Sequence, residues 1–315
     1  MVPAGATQNP ITSNQSALAN PGRNVRHFWL VFAVVAVAFA FFAAGARRTP
    51  ADPVELLRLE STDRLRNFDK SSTLRVATFN IHAGVGQDGI QNLDRTAASL
   101  ADVDLAALQE VRNPFLGFRG PQAAVVAEKL QMAWMFVPAE RQWWHNHYGS
   151  AILTRAQLDD CVRIPFPTSS RQRFRTGLLA KVRVHGRVVN VFCVHLDRDV
   201  ENNTHDLQLR TAIGLFLSLR EPAILMGDLN EVASHPEMTR LLRTPRVQSS
   251  LATVPRRDAT KIQIDWIITR GLRTVRAEWK ETNASDHPVA WAELQLPDEM
   301  SGSTCPADWT VMSQN

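Results

Sequence analysis

The amino-acid sequence predicts a layered α/β fold with its sheets in the middle, on three observations. Short apolar runs rich in β-branched residues recur from Leu74 onward, each bounded by turn residues. Helical patterns fall between several of them, and Val184-His185-Gly186-Arg187-Val188 reads as a hairpin. The predicted strands are residues 74–79, 105–108, 149–154, 178–184, 188–194, 223–226 and 265–269, and the predicted helices are 93–101, 122–132, 205–219 and 237–242. A 44% hydrophobic composition supplies a full core for a domain of this size, and no internal repeat is evident.

Ahead of this domain the chain changes character twice. Residues 1–27 are rich in Ala, Asn, Ser, Gln, Pro and Gly without apolar periodicity, the composition of a disordered leader. Residues 28–46 form an uncharged run, FWLVFAVVAVAFAFFAAGA, with Arg26 and His27 before it and Arg47 and Arg48 after it. A helix of that length spans a hydrocarbon core, which takes roughly 17 to 25 residues. Two readings of the run involve a membrane: a single-pass anchor, or a signal peptide cleaved after the small residues Ala44-Gly45-Ala46. The long polar leader and the arginine pair behind the run favour the anchor. The positive-inside rule, with Arg58, Arg64 and Arg66 on the far side, argues for a cytoplasmic domain, whereas a signal-like N-terminus argues for an extracytoplasmic one, which is the placement expected here. Residues 47–72 read as a charged connector with a helical stretch in VELLRLESTDRL, residues 73–297 as the main folded domain and residues 298–315 as a loose tail.

The net charge of +4 is not a nucleic-acid footprint. The first fifty residues hold four of the 35 basic residues, Arg23, Arg26, Arg47 and Arg48, and none of the 31 acidic ones, so residues 51–315 carry 31 of each. A protein that lives on the phosphate backbone displays a basic surface, because binding releases counterions from neutralised phosphates. Cys161, Cys193 and Cys305 are too far apart for a zinc knuckle or a redox pair. Cys161 and Cys193 read as small buried hydrophobes and Cys305 as a tail residue.

The polar residues that stand out sit at strand ends: Asn80, Glu110, His195, Asp228 and Asn230, Asp265, and Asp286 with His287. Strand ends are where open α/β sheets gather ligands. Four carboxylates, two amides and two imidazoles suit a hard cation, since magnesium prefers a few carboxylates, retained waters and substrate phosphate. Hydrolysis of a phosphate ester needs an oriented water, neutralised phosphoryl oxygens and a stabilised leaving oxygen, and each role has a candidate here.

Taken in order, LRVATFN, ALQEV, YGSAILTR, VNVFCVHLD, ILMGDLNE, QIDWIIT and NASDHPV resemble the successive motifs of the endonuclease/exonuclease/phosphatase superfamily, the fold of DNase I. The likeness spans about residues 73–296. It implies a four-layered α/β sandwich, two mainly antiparallel sheets faced by helices. It also implies roles. Glu110 is the principal magnesium ligand, with Asn80 helping to hold the metal or the phosphate and Asp286 beside the metal; manganese can substitute. Asp228 is the base or orienter of the attacking water, and Asn230 binds the phosphoryl oxygens. His287 stabilises developing charge with its tautomer set by Asp265, and His195 binds the scissile phosphate from the opposite side. The sequence departs at Gly149-Ser150-Ala151, where many relatives have Gly-Asn-Ala.

Two substrate contacts are weighed beside these. Arg175 stands where relatives often carry arginine, and Tyr148 borders the same region. Trp143, Trp144, His145 and Tyr148 with Arg141 form an aromatic-rich stretch suited to stacking on bases, to a lipid interface or to plain packing. Arg171, Arg173 and Arg175 read as a solvated face unless they rim the site. His82, His145, His147, His185, His205 and His235 read as surface or supporting residues. The expected function is a membrane-associated phosphodiesterase or phosphomonoesterase. The alternatives are a nuclease with the same site, so that nucleic acid is a partner, and a catalytically silent phosphate-binding module. Nothing in the sequence points to a protein partner.

Overall fold

The computed structural model describes residues 21–45, 73–113, 121–142, 145–168, 174–198, 203–256 and 262–297. The connector, the tail with Cys305, Trp143, Trp144, Arg171 and Arg173 lie outside the described residues, as does the leader before Pro21. Two compact units divide the chain, residues 1–46 and 47–315.

In the first unit, helix α1 runs Pro21–Gly45, so the helix takes in residues 21–27 of the predicted leader. Proline suits the first turn of a helix, where its missing N–H has no acceptor to serve. At about 1.5 Å per residue α1 is roughly 37 Å long, against about 30 Å for a hydrocarbon core. Its stretch Val25–Ala43 has a mean hydropathy of 2.1 and no buried residue, so by length and composition it can cross a membrane.

In the second unit, the first six-stranded sheet holds β1 (Thr73–Asn80), β2 (Leu105–Arg112), β3 (Ala133–Gln142), β4 (His145–Thr154), β11 (Arg273–Lys280) and β12 (Val289–Gln295), in the order β11-β12-β1-β2-β4-β3. The second holds β5 (Gln157–Pro165), β6 (Thr176–Val184), β7 (Arg187–His195), β8 (Ala223–Asp228), β9 (Val247–Ser249) and β10 (Asp265–Arg270), in the order β5-β6-β7-β8-β10-β9. Among the described residues only β1–β2 and β7–β8 pair in parallel; the other pairings are antiparallel. The predicted hairpin joins β6 to β7 through His185 and Gly186, both at positive φ, as a two-residue turn between twisted strands requires.

Three apolar layers hold the sheets in a stack of four. Alternate residues of both sheets meet between them, Leu74, Val76, Leu105 and Ile152 from one against Leu178, Val191, Met226 and Ile267 from the other. Behind the first sheet, Phe79, Ala106 and Leu108 pack on α2 (Leu93–Ala98) and α3 (Gln122–Leu130). Behind the second, Phe192, Leu225 and Trp266 pack on α4 (Thr204–Ser218) and α5 (Pro236–Leu242). The four-layered sandwich is therefore present, helix on sheet on sheet on helix.

Candidate active site

The inter-sheet core ends in polar groups at one rim, and strand alternation dictates which. Val189, Val191 and Cys193 of β7 face between the sheets, so His195 does too. The same rule carries Ile224 and Met226 to Asp228 on β8, Ile267 back to Asp265 on β10, and Leu74 and Val76 to Asn80 on β1. His195 is in register with Asp228, and Asp228 with Asp265, so three strands place three functional groups side by side.

Glu110 obeys a different rule. Leu108 and Val111 of β2 both face the α2–α3 layer, because an extra residue is inserted between them opposite β4. Glu110 sits in this bulge with φ +57, a conformation that costs a non-glycine residue energy and tends to be kept at functional positions. The result is a bridge: Asn80 Nδ2 donates to Glu110 Oε1 at 3.2 Å and to Asp228 Oδ2 at 3.1 Å. Asn80 thus turns its amide nitrogen to the carboxylates, while its Oδ1 accepts from the His82 backbone N–H at 3.1 Å.

The end of β8 and the turn after it are equally constrained. Gly227 has φ +146, and a Cβ there would stand 1.9 Å from the Val194 carbonyl oxygen. Asn230, at φ +51, donates its backbone N–H to Asp228 Oδ1 at 2.9 Å and its Nδ2 to the Leu196 carbonyl at 3.0 Å. From the other sheet, His287 arrives on the segment leading into β12. Its Nδ1 lies 2.9 Å from Asp265 Oδ2 and its Nε2 3.9 Å from Asp228 Oδ2. His195 Nε2 approaches the same Asp228 oxygen at 3.7 Å. Asp286 is exposed, and Ser285 ties it to the rest: the Ser285 hydroxyl donates to the Asn80 carbonyl at 2.7 Å and lies 3.1 Å from Asp286 Oδ1. Ser285 and Gln109 extend the site beyond the residues to which the sequence points. Gln109, buried under the site, accepts from Thr78 Oγ1 at 3.2 Å and donates toward Cys193 Sγ at 3.5 Å. Ser285 was visible only as the first letter of the Ser-Asp-His motif.

Burial and charge divide these groups by protonation. Burial pushes the Asp228 carboxyl upward and the nearby Asp265 adds to it, against opposing pulls from His287, Asn80 and the Asn230 N–H. His287 is pulled down by burial, but its bond to Asp265 and the charges of Asp265, Asp228 and Asp286 raise it to about 9. His195 goes the other way: burial, then Arg175, then His287 hold it well below the usual imidazole range, so it is neutral. The rim therefore pairs a charged imidazole with a neutral one.

Tyr148 and Arg175 lie together on the β4 and β6 side. Arg175 Nη1 is 3.4 Å from the Tyr148 hydroxyl, and the Arg112 guanidinium lies 5.8 Å from the Tyr148 ring centre. Burial raises the Tyr148 phenol to about 12 despite the charge of Arg175. Arg175 also reaches Asp197 at 4.0 Å and acts on His195. Of the histidines read as surface or supporting residues, His147 and His205 are buried, because each docks on a neighbouring polar group: Glu140 Oε1 at 3.0 Å and the Leu229 carbonyl at 3.0 Å. Cys161 and Cys193 are buried, as expected of small hydrophobes.

Among the described residues at the rim, two sets are chemically able to hold a cation. Asp228, Asp265 and His287 each offer a ligand atom within 4.8 Å of the others, and Asp265 Oδ1 is a buried acceptor without a hydrogen-bond partner among the described residues. Glu110, Asn80 and Asp286 form the second set, rich in oxygen donors and joined through Asn80 and Ser285.

The signature of the Endonuclease/Exonuclease/phosphatase family matches residues 77–287. No curated protein matches the sequence. Solved structures agree in fold. The chain is similar to an endonuclease/exonuclease/phosphatase from Beutenbergia cavernae, with a TM-score of 0.60 and 22% identity over 71% of this chain and 72% of that one. It is similar to the human Nocturnin catalytic domain with bound sulfate, with a TM-score of 0.54 and 16% identity over 70% and 93% of the two chains. It is also similar to ANGEL2, a 2',3'-cyclic phosphatase, with a TM-score of 0.55 and 14% identity over 71% and 96%.

Proposed function

This chain belongs to the endonuclease/exonuclease/phosphatase family, whose enzymes hydrolyse phosphate ester bonds, and from that premise we propose that it is a membrane-associated, magnesium-dependent phosphodiesterase or phosphomonoesterase using the rim of the inter-sheet core. The observation that carries the reading is the register of His195, Asp228 and Asp265, with His287 brought across from the other sheet onto Asp228.

In this reading Asp228 takes a proton from the attacking water as the water oxygen bonds to phosphorus and the ester oxygen departs on the opposite side. Its raised affinity for protons suits a base working near neutrality. His287, charged at neutral pH and with Nδ1 held by Asp265, points Nε2 toward the phosphoryl oxygens and offsets the charge gathering there. His195 remains neutral and donates one hydrogen bond to the phosphate from the other side. The Asn230 amide, anchored on Leu196, donates its second hydrogen to the same oxygens.

Glu110 and Asp286 would hold magnesium, with Asn80 orienting Glu110, and manganese would substitute. The ion would supply polarisation of a phosphoryl oxygen and stabilisation of the leaving one. The Asp228–Asp265–His287 set suits magnesium less well, since it offers an imidazole where that ion prefers oxygen, and His287 Nδ1 is already held by Asp265 Oδ2 at 2.9 Å. The apolar stretch of α1 supports attachment to a membrane, and the signal-like character of the N-terminus is the ground for placing the catalytic domain outside the cytoplasm.

The test is hydrolysis by the detergent-purified full chain of bis(p-nitrophenyl) phosphate, p-nitrophenyl phosphate and plasmid DNA, with magnesium or EDTA, beside Glu110→Ala. Turnover that depends on magnesium and on Glu110 supports the reading. Turnover that survives both chelation and the substitution rejects it, and binding without turnover across the panel favours a silent phosphate-binding module.

A further inference from the structure

Asn80 and Glu110 each adjoin backbone at positive φ, and one buried side chain from α3 joins the two places. Just past β1 the chain turns through His82, Ala83 and Gly84 at φ +47, +55 and +74, three left-handed residues in a row. Glu110 stands at +57 in the bulge of β2. Such conformations persist where the surroundings over-determine them. Gln122, the first residue of α3 and 5% exposed, reaches both. Its Oε1 accepts the Arg112 backbone N–H at 2.8 Å, just beyond the bulge, and its Nε2 donates to the Ala83 carbonyl at 2.6 Å.

We propose that Gln122 is a positioning residue for the candidate metal set, fixing Asn80 and Glu110 relative to each other. The proposal rests on the assignment of Glu110 as a magnesium ligand. A closed circuit of bonds carries it. Asn80 Nδ2 donates to Glu110 Oε1, and the chain runs on from Glu110 to Arg112, whose N–H is held by Gln122. Gln122 in turn holds the Ala83 carbonyl, and the neighbouring His82 N–H returns to Asn80 Oδ1 at 3.1 Å. The far corner of the circuit needs a neutral amide, because one backbone partner donates and the other accepts; the same pairing fixes which end of the amide is oxygen. An ionised glutamate has no hydrogen to donate, methionine supplies neither bond, and asparagine is one methylene too short to keep both.

The consequence is specific to the cation. Magnesium demands near-ideal geometry, so freedom between the turn and the bulge weakens its binding. Groups that orient metal ligands act on affinity in this way. Gln91 provides a comparison: its Nε2 also donates to the Ala83 carbonyl, at 2.8 Å, yet among the described residues no bond from its side chain reaches β2. Support of the turn alone is therefore separable from the tie between turn and bulge.

The experiment uses the full chain in detergent, stripped with EDTA and freed of the chelator, with manganese(II) chloride alone as the probe. The electron paramagnetic resonance signal of free manganese gives the bound fraction without any substrate. The unsubstituted chain should bind manganese at a site that Glu110→Gln abolishes. Gln122→Met, shown by its melting temperature to be folded, should weaken that site at least about tenfold, and Gln91→Met should leave it within about twofold. Should Gln122→Met fail to fold, Gln122→Glu decides by the same loss, since it keeps the acceptor for the Arg112 N–H and gives up the donor to Ala83. Undiminished affinity in a folded Gln122 variant, or an equal loss in Gln91→Met, overturns the proposal and leaves Glu110 as a ligand. Binding that Glu110→Gln does not alter removes the assignment of Glu110 and the proposal with it.

Discussion

His287 and Asp265 join the two sheets at the rim: His287 Nδ1, on the segment entering β12 of the first sheet, lies 2.9 Å from Asp265 Oδ2 at the start of β10 in the second. The bond sets the orientation of the imidazole and, with the surrounding carboxylates, its charge.

The first prediction follows from that charge. A histidine raised to about 9 from an ordinary 6.5 adds stability fully present below about pH 6.5 and lost as the pH rises through about 9. Activity that needs the imidazolium should fall along an alkaline limb near pH 9. In Asp265→Asn that limb should move down toward the ordinary histidine value, with kcat reduced by about 10² to 10⁴. A pH–rate profile of both proteins checks this, and an unmoved limb assigns it to some other group.

Glu110 sits in a bulge at positive φ, so function and stability should separate there. Glu110→Gly relieves a backbone conformation that disfavours side chains by about 1 to 2 kcal/mol, partly offset by the greater freedom of the unfolded chain. We expect a midpoint in urea equal to or above that of the unsubstituted chain, together with loss of hydrolysis. A marked drop in the urea midpoint would show that Glu110 holds the fold rather than serving the chemistry.

Gly227 should tolerate no side chain. An added Cβ meets the Val194 carbonyl oxygen at 1.9 Å in the strand paired beside it, and the φ of +146 is closed to other residues. Gly227→Ala should lower stability by about 3 kcal/mol or more, read as a fall in urea midpoint with little change in slope. A loss below about 1 kcal/mol would mean that β7 and β8 are spaced differently at this point.

Tyr148 is the single tyrosine of the chain, so its titration can be followed by ultraviolet absorbance alone. Burial holds the phenol to about 12, above the usual value of about 10. The folded state thus keeps its proton where the unfolded state has released it, and stability falls as the pH rises past about 10. In the native protein phenolate absorbance should stay flat through about pH 11, and in guanidinium it should appear near pH 10. Native titration near 10 would place the ring in solvent and remove it from the candidate substrate wall.

Much of this molecule is legible in its sequence, and the omissions have a common cause. Each strand predicted from an apolar run proved to be internal to a sheet, where both faces are covered. The edge strands of the described sheets, β3, β5, β9 and β11, lack such a run. β3 contains Pro138, which is tolerated only because an edge strand can do without one donor; β5 and β11 carry charges on exposed positions; and β9 spans three residues. β12 is internal yet carries little β-branched signal, although Val289, Ala290, Trp291 and Ala292 are all buried. At the site, the ordered motifs led to the residues that meet at the rim. Simple alternation along β2, however, would send Glu110 to the helix face with Leu108, and only the bulge reverses it. Ser285, whose hydroxyl joins Asn80 to Asp286, has no signal of its own apart from its neighbours.

The most direct measurement is the single-turnover rate of bis(p-nitrophenyl) phosphate hydrolysis by Asp228→Asn, on protein whose melting temperature shows that it is folded. If Asp228 is the base at the rim of the inter-sheet core, the rate in magnesium should fall by at least about 10³. A folded variant that keeps more than about a tenth of the rate would contradict the account.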